Sequence, residues 1–264
     1  MKAGLNLYSI RNLIDTEERF LDTARKLKEM GYSFLQYSGA PYDPDRIRRV
    51  SEEVGLPVVL THVPLARMRD DLDKLMQEHE SFGCKNIGLG SIPIAELITD
   101  DGIIEEKKCK AVIAELEEIG AAMAAKGFQF FLHNHHYEFM RMTNGERIFD
   151  YMAENAPHIN LTLDIYWLQY AGVDIIATAK KLAGRIDCVH LKDYAILKNP
   201  GGEKFDLRPT CESVGFGNID FKAVVPVLKE AGTEYFFVEQ DNAAVLPDTL
   251  HQVERSIRYI LKEL

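Results

Sequence analysis

The chain has 264 residues and a formal net charge of −10, with 46% apolar and 27% charged residues. This balance excludes a disordered chain and predicts a folded one, and the length suits an α/β barrel better than a β-sandwich. No run of Lys or Arg stands out, so a nucleic-acid or anionic-membrane surface is disfavoured. No stretch reaches the about 20 apolar residues of a membrane span.

Short apolar runs alternate with longer amphipathic segments from the N-terminus onward. The apolar runs predict eight strands, at residues 3–10, 33–37, 57–62, 86–89, 128–133, 160–163, 186–190 and 235–238. The spacing of apolar residues predicts helices between and after them, at residues 17–30, 44–54, 69–82, 104–126, 145–155, 174–182, 221–231 and 248–264. Glycines that favour a helix end follow several of these segments, at Gly31, Gly55, Gly83, Gly127 and Gly232.

Strict alternation of strands and helices indicates a parallel sheet covered by helices. Eight such units in this length close most simply into a (β/α)₈ TIM barrel, which we expect to form a single domain over residues 1–264. A doubly wound open sheet is the alternative, but it usually carries a Gly-rich first turn. The first turn here is Ser9-Ile10-Arg11-Asn12, with no glycine.

Two other features of the sequence carry expectations. The longest stretch without periodicity, residues 194–218, follows strand seven, and a loop of that length is typical of a lid. The chain has four cysteines, Cys84, Cys109, Cys188 and Cys211. Their spacing fits neither a C-x-x-C pair nor a disulfide framework. The N-terminus shows no apolar signal region. We therefore expect reduced thiols and a cytoplasmic protein.

Polar side chains stand where the predicted strands three and five to eight leave the core, and this is the end of a barrel that carries its chemistry. They are His62, His133, His135, Glu138, Asp164, His190 and Glu239. Strands five to eight are neighbours, so one cation can collect ligands from all four: Glu138, Asp164, His190 and Glu239. Three carboxylates and one imidazole favour Mn²⁺ or Mg²⁺, while Co²⁺, Fe²⁺ and Zn²⁺ also fit.

Several motifs in order along the chain resemble the xylose isomerase-like barrel superfamily of sugar isomerases and epimerases. They are Leu-His-Asn-His-His-Tyr-Glu-Phe at 132–139, Leu-Asp-Ile-Tyr-Trp at 163–167, Val-His-Leu-Lys-Asp at 189–193, Val-Gly-Phe-Gly-Asn-Ile-Asp at 214–220 and Val-Glu-Gln-Asp at 238–241. The resemblance implies the same four metal ligands. In the epimerase branch the strand-five glutamate ligand lies within the strand, where this chain has Phe131. We therefore expect Glu138 to be the strand-five ligand here. Related apurinic endonucleases carry a His where this chain has Trp167, so nuclease activity is not expected.

The ligand set and the resemblance together predict a metal-dependent sugar isomerase or epimerase. The cation would acidify the C–H bond next to a carbonyl, and Glu138 and Glu239 would move the proton. Residues expected to bind the substrate are His62, His133, His135, Trp167 and Lys192. Two alternatives remain. A lyase or dehydratase of a keto-inositol or 3-keto-glycoside would begin with the same proton abstraction. A non-catalytic sugar-binding barrel would have the same site without the reaction.

The expected partner is one small sugar or keto-sugar, with no nucleic acid and no membrane, and the sequence leaves open whether the chain forms a homo-oligomer. Residues 241–244, after strand eight, read Asp-Asn-Ala-Ala. They lack the Gly-rich turn that commonly receives phosphate in barrels, which favours an unphosphorylated substrate.

Overall fold

The computed structural model describes residues 1–264 and contains ten strands, eight of which close a parallel barrel. The strands in chain order are β1 Gly4–Asn6, β2 Phe34–Tyr37, β3 Val58–His62, β4 Asn86–Leu89, β5 Gln129–His133, β6 Ile159–Asp164, β7 Cys188–Leu191, β8 Asp193–Lys198, β9 Leu207–Glu212 and β10 Tyr235–Val238. The barrel order is β1-β2-β3-β4-β5-β6-β7-β10, with β10 pairing back onto β1. This confirms the predicted (β/α)₈ barrel and excludes the open sheet.

Helices surround the barrel and return the chain from each strand to the next. They are α1 Glu17–Met30, α2 Pro44–Val54, α3 Leu65–Asp70, α4 Leu72–Ser81, α5 Ile94–Leu97, α6 Glu106–Ala124, α7 Ile148–Asn155, α8 Ile165–Tyr170, α9 Ile175–Lys181, α10 Phe221–Glu230 and α11 Thr249–Glu263. The spacing of apolar residues in the sequence predicted the positions of most of these helices. For example, Thr16 caps α1 and Gly31, with φ of 106°, ends it as predicted.

Several segments differ from the sequence prediction, which contained neither of the short helices α5 and α8. Strand one ends at Asn6, and residues Leu7–Leu13 form a 3₁₀ helix, because the side chain of Asn6 caps it by accepting from the Tyr8 N–H. The helix predicted at 69–82 is two helices, since Asp71 at their junction has non-helical φ and ψ. The loop predicted at 194–218 contains an antiparallel hairpin, β8 with β9.

The strands bury both faces. Their outward residues pack on the helices in one large core. Residues that point inward alternate with these, because successive strand side chains face opposite sides. The inner apolar layer is small and consists of Phe34, Leu60, Phe131, Cys188 and Phe237. Two residues further along the same strands, the side chains facing the axis are polar, and this second layer forms the floor of the site.

One buried carboxylate fastens the β8–β9 hairpin to the mouth of the barrel. The two oxygens of Asp193 accept from the backbone N–H groups of Tyr194, Gly215, Gly217 and Ile219 at 2.8–3.1 Å. At Gly217 a Cβ would lie 2.3 Å from the Tyr194 carbonyl oxygen, so the approach requires glycine. Asp193 therefore has a structural role.

All four cysteines are free thiols, and three of them are buried. The burial raises the pKa of the Cys84 thiol to about 12 and that of Cys109 to about 11. None of the helices combines the length and the apolar character needed to cross a membrane.

We expect Asp193→Ala to lower the free energy of unfolding by about 3–5 kcal/mol, because four backbone N–H groups lose a buried carboxylate acceptor. Urea unfolding of wild type, D193A and the control Asp22→Ala on the exposed face of α1 measures this. A loss below about 1 kcal/mol in D193A, equal to that of the control, contradicts the role of Asp193 as the anchor.

Candidate functional site

Four buried side chains bring their donor atoms together at the mouth of the barrel. One ligand atom from each of His133, Asp164, His190 and Glu239 lies within 4.8 Å of every other, and all four residues are buried. The contributing strands are adjacent, since β5, β6, β7 and β10 are neighbours in the barrel. Two carboxylates and two imidazoles in this arrangement form a set that could hold a metal ion.

Hydrogen bonds behind the two imidazoles decide which nitrogen faces the cluster. His133 donates from Nδ1 to the Gly90 carbonyl oxygen at 3.0 Å, and His190 donates from Nε2 to Gln36 Oε1 at 2.7 Å. The remaining nitrogens, His133 Nε2 and His190 Nδ1, are 3.1 Å apart at the centre of the cluster. Outer partners of this kind fix the ring orientation of histidine ligands in metal sites.

Each carboxylate of the cluster is also held from behind. Asp164 Oδ1 accepts from the Trp167 N–H at 3.0 Å and caps α8, while Oδ2 lies 3.3 Å from His133 Nε2. Glu239 Oε2 accepts from Asn6 Nδ2 at 2.8 Å and lies 2.6 Å from His190 Nδ1. The four groups are therefore preorganised with one donor atom each directed inward.

A buried ammonium balances the carboxylates. Lys192 Nζ is 3.6 Å from Asp164 Oδ2, 3.4 Å from Glu239 Oε1 and 2.8 Å from Asp241 Oδ2. Burial opposes ionisation of Asp164 and Glu239, but Lys192 and the neighbouring imidazoles outweigh it and hold both pKa values below the usual range. For His190 burial is outweighed by the adjacent carboxylates, which raise its pKa to about 9.

A cavity of about 280 Å³ opens above the cluster. Its lining residues are Asn6, Tyr8, Ser38, His62, Gly90, Ser91, His133, His135, Tyr137, Glu239 and Asp241. His62 Nε2 accepts from Gln36 Nε2 at 2.7 Å, so one amide joins His62 to His190. Burial, reinforced by the imidazoles of His133 and His190, keeps the pKa of His62 well below its usual value. His62 is thus a neutral ring at the cavity wall.

Aromatic rings form one side of the mouth. The rings of His135 and Tyr137 stack with centroids 5.0 Å apart, and Trp167 lies 5.5 Å from His135. Lys192 Nζ is 4.9 Å from the centroid of Trp167. Two polar atoms in this wall, His135 Nδ1 and Trp167 Nε1, are buried without a hydrogen-bond partner, and such atoms generally gain one from a ligand or water.

Glu138, predicted as a ligand and proton carrier, lies apart from the cluster. Its two carboxylate oxygens accept from the backbone N–H groups of Ile92 at 3.2 Å and His135 at 2.7 Å. Burial raises the pKa of Glu138 to about 7 although these N–H groups lower it. The residue belongs to a 3₁₀ helix, Tyr137–Phe139, beyond the end of β5. The residue of strand five that joins the cluster is His133, which the sequence analysis predicted to bind the substrate.

Sequence reasoning missed the residues that support the cluster, namely Asn6, Gln36, Gly90 and Asp241. A signal existed for two of them. Asn6 and Gln36 are polar residues inside apolar strand runs and lie two positions after inward-facing Gly4 and Phe34. No sequence signal marks Gly90, because it contributes a backbone carbonyl.

The chain belongs to the xylose isomerase-like TIM barrel family, which matches residues 24–263. An inosose dehydratase from Clostridium perfringens is 28% identical over 168 residues, which are 60% of this chain and 56% of that protein. The chain therefore spans little more than half the length of that curated relative.

Solved structures share the fold. A sugar phosphate isomerase/epimerase from Parabacteroides distasonis superposes with a TM-score of 0.77 at 20% identity, over 99% of this chain and 94% of that one. A xylose isomerase-like TIM barrel protein from Mycobacterium smegmatis, in complex with magnesium, superposes with a TM-score of 0.67 at 14% identity, over 99% and 95%. At these identities the likeness concerns the barrel alone.

We expect Gln36→Ala to weaken Mn²⁺ binding by about 10–100-fold, because His190 loses the acceptor that holds its ring. Titration calorimetry of the metal-free protein with MnCl₂ measures the affinity. The matched control is Gln129→Ala, at the exposed start of β5. Equal affinities in both variants would show that Gln36 does not orient a ligand.

We expect Glu138→Gln to bind Mn²⁺ within about threefold of wild type, and Glu239→Gln to lose more than the roughly 100-fold associated with an outer partner. The reason is that only Glu239 has an oxygen in the cluster. The same calorimetric titration decides this, and a large loss in E138Q would restore Glu138 as the strand-five ligand. Glu138→Ala should instead destabilise the fold by about 2–4 kcal/mol, because the N–H groups of Ile92 and His135 lose a buried acceptor.

Proposed function

We propose that this chain is a divalent-metal-dependent sugar isomerase or epimerase that abstracts a proton next to the carbonyl of a small keto- or aldo-sugar. The observation that carries the proposal is the convergence of two carboxylates and two imidazoles beneath a polar cavity. The relatives support the reaction class, since one is named a dehydratase and another an isomerase/epimerase.

The residues that would hold the cation are His133, Asp164, His190 and Glu239. The donor chemistry fits, because the hydrogen bonds of Gly90 and Gln36 leave one imidazole nitrogen of each histidine facing the carboxylates. With two imidazoles rather than the predicted one, the set suits Mn²⁺, Fe²⁺, Co²⁺ or Zn²⁺ better than Mg²⁺. A bound divalent ion would supply polarisation of the substrate carbonyl.

Glu239 is the proposed proton acceptor. It lines the cavity, its carboxylate stays ionised, and Asn6 and Lys192 hold it in place. Lys192 would stabilise negative charge on substrate oxygens through its field, because it is fully buried beside the carboxylates. His62 and His135, which line the cavity, remain proposed substrate contacts, as does Trp167, which packs beside His135 and has an unpartnered N–H.

A dehydratase acting on a keto-inositol is the second candidate, favoured by the similarity to an inosose dehydratase. The two reactions share the abstraction by Glu239 and differ afterwards. In an isomerase or epimerase the proton returns to carbon, whereas in a dehydratase a β-hydroxyl leaves as water. The four-residue cluster serves either outcome.

We expect Mn²⁺-loaded protein to incorporate solvent deuterium into at least one member of a keto- and aldo-sugar panel in D₂O, observed by proton NMR. Glu239→Gln should reduce the exchange rate by about 10³-fold or more, because it removes both the proposed general base and one residue of the metal cluster. Glu234→Gln is the matched control, since Glu234 is exposed just before the other end of β10.

The product identifies the reaction. Deuterium in an isomer supports isomerisation or epimerisation, and loss of water from an inosose supports the dehydratase. Sugar binding with no exchange in any compound would contradict both and leave a non-catalytic sugar-binding barrel.

A further inference from the structure

The charged side chains at the mouth of the barrel carry a net negative charge. One ammonium, Lys192, is within 4.0 Å of three carboxylates, those of Asp164, Glu239 and Asp241. The imidazoles of His62 and His135 add no charge, because burial holds their pKa values well below the usual one. With His133 and His190 also counted as neutral, the form in which they would bind a metal, the side chains leave an excess of two negative charges.

A divalent cation held by the cluster would cancel this excess, since its ligand histidines bind as neutral imidazoles. The loaded mouth would then carry two positive charges from the ion, one from Lys192 and three negative charges from the carboxylates. Its sum is zero before any substrate enters. An anionic substrate would add one or two uncompensated negative charges beside the carboxylates of Glu239 and Asp241, which is unfavourable.

No further cation faces the cavity to receive an anion. Its lining contains neither Lys nor Arg. One candidate beside the lining is Arg11, and its Nη1 donates to the carbonyl oxygens of Tyr8 and Asp241 at 2.8 and 3.1 Å, while the guanidinium lies over the Tyr8 ring. Backbone acceptors thus engage Nη1 of Arg11, and the guanidinium lies on a ring.

Unpartnered atoms around the mouth suit hydroxyl groups. Two buried atoms of residues that line the cavity, Asp241 Oδ1 and His135 Nδ1, have no hydrogen-bond partner. Asp241 Oδ1 can only accept, so the hydroxyl of a polyol can donate to it, whereas an ionised phosphate or carboxylate cannot. The volume of the cavity, about 280 Å³, is also close to the roughly 300 Å³ at the lower end of the range for ligand pockets.

We propose that the site takes an uncharged polyol of monosaccharide or cyclitol size, and that Asp241 discriminates against its phosphorylated or carboxylated counterparts. This inference rests on the proposed function and deepens it. The Asp241 carboxylate lines the cavity, contacts Lys192 directly and is not one of the four cluster residues. Removing its charge therefore changes the charge of the mouth without removing a ligand.

The test compares matched neutral and anionic probes on the Mn²⁺-loaded protein at pH 8. Titration calorimetry measures the affinities for myo-inositol and inositol 1-phosphate, and for D-fructose and fructose 6-phosphate. We expect wild type to prefer the neutral member of at least one pair by about tenfold or more, given the size of like-charge repulsion at a few ångströms.

Asp241→Asn keeps the side-chain shape and removes one negative charge. We expect it to shift the neutral-to-anionic affinity ratio toward the anion by about tenfold or more. Asp241→Ser provides a second variant should D241N fold poorly. The control is Asp22→Asn, which makes the same charge change on the exposed face of α1 and should leave the ratio unchanged.

Three results would overturn the inference: a wild-type preference for the phosphorylated members, an unchanged ratio in both Asp241 variants, or no binding of any probe. Deuterium exchange separates this failure from that of the proposed function. Exchange confined to sugar phosphates would retain the enzyme and reject charge selection by Asp241. Selective binding of neutral probes without exchange in any sugar would retain the selection and reject the enzyme.

Discussion

The two-residue period of the strands determines which side chains of this barrel reach its axis. In a closed parallel barrel every second residue points inward, so Phe131 and His133 share a direction, as do Phe237 and Glu239. An apolar layer and, above it, a polar layer result from the same geometry. Beyond the end of a strand the period no longer applies. This explains why Glu138, five residues after His133 in a 3₁₀ helix, binds backbone N–H groups instead of joining the cluster.

The polar layer is costly to bury, and its composition shows how the cost is limited. Asp164, His190, Lys192 and Glu239 are almost completely removed from solvent, and isolated charges there would be strongly destabilising. Each is paired with an opposite charge, and neutral groups behind them, Asn6 and Gln36, satisfy further hydrogen-bonding positions. Such a network stabilises a fold less than apolar packing of the same volume would. Its presence in the mouth of a barrel therefore indicates function.

The sequence predicted the architecture because the architecture depends on patterns that repeat. Apolar runs and helical spacing recur eight times, and three cluster residues, Asp164, His190 and Glu239, directly end or follow such runs. The supporting residues depend on contacts between distant segments instead. Asn6 and Glu239 are 233 positions apart, and Gln36 and His190 are 154 apart. Local pattern carries no information on such pairs, and the hairpin of β8 and β9 was missed because its alternation is short and mostly exposed.

Asp164 connects the cluster to the wall that would receive a substrate. One of its oxygens faces the imidazole of His133, and the other caps α8 through the Trp167 N–H. Because α8 is only six residues long, this cap at its first turn constrains where the backbone of Trp167 stands. The carboxylate thus links the cluster to the backbone of Trp167, whose ring packs beside His135. A glutamate at this position would move its oxygens outward by one methylene and could not keep both contacts, so the length of this side chain is itself a constraint on the site.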